Sequence, residues 1–262
     1  IDSGEAMFEK AIALDDEYAL ALAGIADCHS WRCSWFGGSD VSLKKADECS
    51  LKALQIAPDL AEAHASRSYA LSMNSRYAEA ETEFKTAISI NPQLYEAYYY
   101  AGRSYFAEGK FQLALMAFTQ ASSIRPDDLA VASLRSTTIN KIGTEAEIRE
   151  VAEQSMEVAE RYLELNPDDA LALSRVAGQI VSLGQLEKGL DMARRAYSIS
   201  PDICRYNVAC ALVLANETDE ALDLLEKHAR QGAVFSKWLE KDVDWDKVRG
   251  EERFQKILEM TR

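Results

Sequence analysis

The chain has 262 residues, of which 29 are basic and 43 acidic, for a net charge of −14. A field of that sign repels phosphate backbones and anionic lipid heads, so nucleic acid and membrane surfaces are not expected as partners. No apolar run approaches the roughly 20 residues of a membrane-spanning helix, and no secretory apolar stretch follows the N-terminus. Five prolines and twelve glycines are few for this length, which favours long helices over a turn-rich β architecture.

Three prolines set a period: Pro58, Pro92 and Pro126 are 34 residues apart, and Pro167 and Pro201 repeat that interval. Small and bulky residues recur at fixed distances before each proline. Ala46, Ser50 and Ala53 precede Pro58; Ala80, Phe84 and Ala87 precede Pro92; Ala114, Phe118 and Ala121 precede Pro126; Gly189, Ala193 and Ala196 precede Pro201. Small residues let two helices approach, bulky ones fill the space left between them, and proline ends the second helix. A fixed period of this length is the mark of a helix–turn–helix solenoid, in which each unit buries its apolar face only against its neighbours.

In chain order, residues 1–16 form a partial repeat, a second helix without its first partner, with Phe8 and Ala11 in the repeating positions. Repeats follow at 19–58, with an enlarged turn at 34–40, then at 61–92, 95–126, 129–167, 170–201 and 202–232. The fourth repeat carries a lengthened second helix from about residue 145 to 165, and Gly232 breaks the pattern. Residues 233–262 are expected as two short helices that cap the last repeat, because a terminal repeat needs a polar outer face. The expected fold is all-α: a single right-handed superhelical domain of about six repeats with a helical cap. A chain that begins at Ile1 reads as part of a longer protein.

Tyr98, Ala101, Gly102 and Tyr105 fill the large–small–large pattern of the first helix, and Gly109 and Gly184 sit where two helices turn. These residues resemble the tetratricopeptide repeat. The stretches Phe8–Trp31, Leu163–Ala170, Tyr206–Leu225 and Trp238–Leu258 further resemble C-terminal repeat regions of bacterial signalling proteins that carry a cyclase, a Ser/Thr kinase or a winged-helix regulator upstream. The first and last of these stretches are the most telling, the last because Arg249 and Arg253–Phe254 follow an aspartate-rich turn. The resemblance implies a cytoplasmic protein-interaction scaffold that binds a peptide or protein segment in a groove lined by the first helices. Its alternative is a regulatory or dimerising region of such a signalling protein, with a homodimer among its states.

No catalytic motif is present, and the three histidines make no paired zinc motif, so neither enzyme activity nor a cofactor is expected. Cys28, His29 and Cys33 lie within one or two helical turns but lack a fourth ligand, and an odd count of five cysteines suits free thiols in a reducing compartment. Asp242, Asp244 and Asp246 lack the glycine and closing glutamate of a calcium loop and read as an acidic capping segment that is solvated or caps a helix. Trp31, Trp35, Phe36, Gly37 and Gly38 in the enlarged turn suit either an aromatic lid or partner contact or, the favoured reading, rings that fold back over the first repeat and shield it. The groove residues expected to meet a partner are Asp27, Tyr69, Tyr99, Arg103, Phe106, Thr137, Asn140, Arg175, Tyr206 and Asn207. Tyr98 is assigned to the packing seam and Tyr99 to the groove. The lysine–asparagine clamp that grips chaperone tails is missing: its places hold Ala23, Asp27, Ala65 and Tyr69.

Overall fold

The computed structural model describes residues 1–35, 40–231 and 236–261. Among them all regular structure is helical, in fifteen α-helices and one 3-10 turn. A lone helix α1 (Asp2–Leu14) comes first. The pairs are α2 (Ala19–Trp35) with α3 (Asp40–Ile56), α4 (Ala61–Met73) with α5 (Tyr77–Ile90), and α6 (Tyr95–Glu108) with α7 (Phe111–Ile124). They continue as α8 (Leu129–Ile142) with α9 (Glu145–Leu165), α10 (Ala170–Ser182) with α11 (Leu186–Ile199), and α12 (Pro201–Leu214) with α13 (Thr218–Arg230). The tail holds α14 (Ser236–Leu239), the 3-10 turn Val243–Trp245 and α15 (Glu252–Met260). Phe36, Gly37, Gly38 and Gly232, and the side chain of Trp35, lie outside the described residues.

The helices gather into two compact units, Ile1–Ile124 and Arg125–Arg262. In the first, α2 packs on α3, α4 on α5 and α6 on α7, while the first helices α2, α4 and α6 pack side by side. The second repeats the plan with α8 on α9, α10 on α11 and α12 on α13, closed by α15 against α13.

The recurring small and bulky residues explain why these pairs form. Ala80, Phe84, Ala87, Ala114, Phe118, Ala121, Ala193 and Ala196 are all buried. A Cβ added at Gly102 of α6 would stand 2.5 Å from the Phe118 ring of α7, so a hydrogen atom at that position sets the spacing of the pair. Each second helix stops short of its proline, and Pro201 opens α12 at its first turn, where its missing N–H costs nothing. The turn between helices uses a left-handed residue at the same place in four repeats: Ser75, Gly109, Gly184 and Asn216, with φ of 58°, 79°, 83° and 66°. The fourth repeat departs from this. Gly143 there is extended, and Thr144 and Glu147 form a reciprocal capping box that starts the long α9. Helix α1, without a first-helix partner, has no buried residue.

Two glycines should respond oppositely to the same change. Gly102→Ala is expected to lower stability by roughly 1–3 kcal/mol through overpacking against Phe118. Gly178 in α10 has only an ordinary contact, Leu214 Cδ1 at 3.9 Å, and Gly178→Ala should raise stability by about 0.5–1 kcal/mol by helix propensity. Urea midpoints of the two variants check this, and a loss of stability at both positions would refute the spacing argument.

Candidate functional site

The ninth position of each repeat runs along the first helices as Asp27, Tyr69, Arg103, Thr137, Gly178 and Cys210. In the first unit this row is the centre of an aromatic and charged cluster. Tyr69 of α4 stacks on Tyr100 of α6 at 4.3 Å with planes 5° apart. Trp31 of α2 meets the edge of Tyr69 at 5.3 Å and lies 5.8 Å from Tyr99. The Arg103 guanidinium sits 5.2 Å over the Trp31 ring, a cation–π geometry. Ser34 Oγ and Tyr69 Oη share a hydrogen bond of 2.8 Å.

Asp27 closes one end of the cluster. Ser66 and Tyr100 donate hydrogen bonds to its carboxylate, yet Oδ1 is enclosed without a partner, although part of the residue reaches solvent. Burial outweighs the two donors and pushes its pKa up to about 7. Burial also pushes the Tyr69 phenol up to about 12.

The structure thus brings Asp27, Tyr69, Tyr99 and Arg103 together, but Tyr69, Tyr99 and Arg103 are buried and serve as the floor of the cluster rather than its surface. Phe106 is fully buried outside it, edge-on to Phe111 at 5.3 Å. Tyr98 is the more open of the two neighbouring tyrosines, half-buried with its hydroxyl donating to the Pro92 carbonyl, while Tyr99 stacks inward on Tyr95. Helical spacing places the two on different sides, but burial depends on the helices packed against each side. Trp31, Tyr100, Ser34 and Ser66 were absent from the expected groove set. Tyr100 and Ser66 share the sixth position of successive repeats, a signal that the period carries.

In the second unit, Asn140 is exposed, and Thr137, Arg175 and Asn207 are half-buried on the first helices. Asn207 donates to Ser174 Oγ at 3.2 Å. Tyr206 is buried, and its hydroxyl donates to Asp242 Oδ2 of the tail at 2.8 Å. Asp242 Oδ1 accepts from the Asp244 amide at 3.1 Å, the capping role expected for this acidic stretch. The ligating atoms of Cys210, Asp242 and Asp244 lie within 4.8 Å of one another, the one such group of potential metal ligands among the described residues. Both oxygens of Asp242 already accept hydrogen bonds there. Burial raises the pKa of Asp242 and Asp244 above the ordinary carboxylate value, and Asp244 gains further from the neighbouring Asp242 charge. Arg249 donates to the Glu240 and Asp242 carbonyls at 2.8 and 2.6 Å and to Asp246 at 2.7 Å, and so clasps the turn. Arg253 pairs with Asp223 of α13, and Phe254 stacks on the buried Trp245. Of the Cys28–His29–Cys33 group, His29 pairs with Glu5 at 2.9 Å and Cys33 is buried. All five cysteines are free.

Helix pairs on a 34-residue period, with small residues in the seams, make an all-α solenoid whose fold is that of tetratricopeptide repeats. Residues 95–128 match the family model described as tetratricopeptide repeat. The chain is 26% identical over 158 residues to anaphase-promoting complex subunit 3 of Schizosaccharomyces pombe (strain 972), a match that covers 60% of this chain and 23% of that protein. The chain therefore spans less than a quarter of that relative. Among solved structures it is similar to the APC/C hetero-tetramer Cut9–Hcn1, with a TM-score of 0.62 and 14% identity over 98% of this chain and 52% of the other. It is also similar to the human IFIT1 dimer with m7Gppp-AAAA, with a TM-score of 0.61 and 16% identity over 98% and 65% of the two chains. Likeness at that identity shows the shared fold alone. No helix among the described residues is long and apolar enough to cross a membrane.

The buried Asp27 carboxyl makes a pH prediction. Its folded pKa of about 7 lies above the ordinary 3.8, so the native state holds the proton more tightly and stability is lost as pH rises from about 4 through 7. Asp27→Asn should therefore flatten the pH dependence of the urea midpoint over that range. At pH 8 it should exceed wild type by roughly 1–3 kcal/mol, below the ~4 kcal/mol that three pKa units represent. Parallel curves for the two proteins would remove Asp27 as the titrating group.

Proposed function

We propose that this chain is a protein-interaction scaffold that receives a peptide or protein segment on the faces of its first helices. One observation carries the reading: three successive repeats converge at one row to set a carboxylate, a guanidinium and several aromatic rings beside each other, with an Asp27 oxygen left unpartnered. Aromatic rings and arginine are the side chains that anchor protein interfaces. The buried Tyr69, Tyr99 and Arg103 hold the face rigid, and Asp27 and the half-buried Trp31 present it in the first unit. In the second unit the accessible groups are Thr137, Asn140, Arg175 and Asn207. Arg175 suits a partner carboxylate, and the amides suit a partner backbone. The fission-yeast relative is by name a subunit of a multiprotein complex, which agrees with this reading. Such a scaffold acts by binding rather than turnover.

Arg175→Ala combined with Asn140→Ala should leave the circular dichroism spectrum unchanged and weaken capture of the chain's protein partner about tenfold, the equivalent of about 1.4 kcal/mol. The affinity of a partner purified on the wild-type chain provides the measurement. Equal capture by both proteins would count against the first-helix face of the second unit.

A further inference from the structure

The segment after α13 turns back onto the first helices of the second unit. Its 3-10 turn contacts both α12 and α8, which a whole repeat separates in the chain. Its acidic residues meet those helices in order. Asp242 accepts from the Tyr206 hydroxyl at 2.8 Å. Asp244 lies beside Cys210, one turn further along the same side of α12. Asp246 accepts from Lys141 Nζ, near the end of α8, at 2.9 Å. Trp245, between the last two, is fully buried with Tyr206 and Phe254 for neighbours.

Tyr206 belongs to the face that the scaffold reading assigns to a partner, and Cys210 holds the ninth position that Asp27, Tyr69 and Arg103 hold in the first unit. We propose that this face of the second unit is a docking surface for an acidic segment with an embedded aromatic residue, and that residues 242–246 are its resident ligand. The proposal rests on the scaffold reading, since it needs the first helices to be a binding face. An external partner competes for the face with the same chemistry: carboxylates for the Tyr206 hydroxyl and the Lys141 ammonium, and a ring for the place of Trp245. Tethering gives the resident segment a high effective concentration, so an external segment gains access when the tail loosens. Arg249 is the latch. It ties the Glu240 and Asp242 carbonyls to Asp246 within the tail and contributes nothing to the face itself.

The test uses the full chain and a fluorescein-labelled synthetic peptide of residues 238–250. Arg249→Ala should bind the peptide at least tenfold more tightly than wild type, and adding Lys141→Ala with Tyr206→Phe should remove that gain. Binding that Arg249→Ala does not improve, or that ignores the two face substitutions, overturns the proposal. Hydrogen exchange of the wild-type chain tests it without any variant. Amides of 240–250 should exchange through an opening that leaves α12 and α13 protected, and exchange only on global unfolding would make the segment core and sink the idea. The two readings separate cleanly. Absence of peptide binding to Arg249→Ala, with partner capture still weakened by the Arg175 and Asn140 changes, rejects the resident ligand and keeps the scaffold face, whereas peptide binding with capture unaffected by those changes keeps the docking surface and removes Arg175 and Asn140 as partner contacts.

Discussion

Close approach between the two helices of a repeat is the constraint on which the rest depends. Gly102 against Phe118, and the buried alanines at the matching places of other repeats, hold each pair at a spacing that a larger side chain would not permit. Close packing of this kind has no slack, so the spacing fixes where each first helix lies relative to its neighbours. Side chains at one position of successive repeats then stand beside each other. The Trp31, Tyr69, Tyr100 and Arg103 cluster is a consequence of that alignment, since its members come from three helices and only Tyr100 and Arg103 share one.

The same packing sets the electrostatics. Most carboxylates of this acidic chain are on the surface, where pairs such as Arg161 with Asp127 and Arg195 with Asp168 tie a second helix to the connection that precedes its own repeat. Exposed pairs of this kind contribute little, about 0–1 kcal/mol each. Asp27, Asp242 and Asp244 differ because the helix faces enclose them, and burial moves all three towards the protonated form. Carboxylates held against their solvation preference mark the two places where first-helix faces carry polar chemistry. In the second unit the carboxylates belong to the tail, and Tyr206 and Lys141 of the first helices donate to Asp242 and Asp246.

The period, the helix pairs and their ends were legible in the sequence because they rest on local rules. Proline stops a helix, alanine and glycine mark a seam, and a fixed interval between them counts the repeats. The structure forms six helix pairs among the described residues, and α9 is the longest helix at Glu145–Leu165. The turn residues Gly109 and Gly184 were readable for the same reason, while Ser75 and Asn216 take the same left-handed conformation without the composition that announces it.

Accessibility could not be read in this way. Tyr69, Tyr99, Arg103, Phe106 and Tyr206 carry the residue types of a binding surface, and the structure buries all five. Periodicity tells which side of a helix a residue occupies, but the depth of that side depends on which neighbours cover it. For Tyr206 the cover is a segment some 36 residues away. The sequence by itself determined the repeat, the helices and the seams, because each follows from contacts within about one period. Only the tertiary structure decided which parts of the first-helix faces remain open, because that depends on aromatic side chains from separate repeats and on a tail that returns across them.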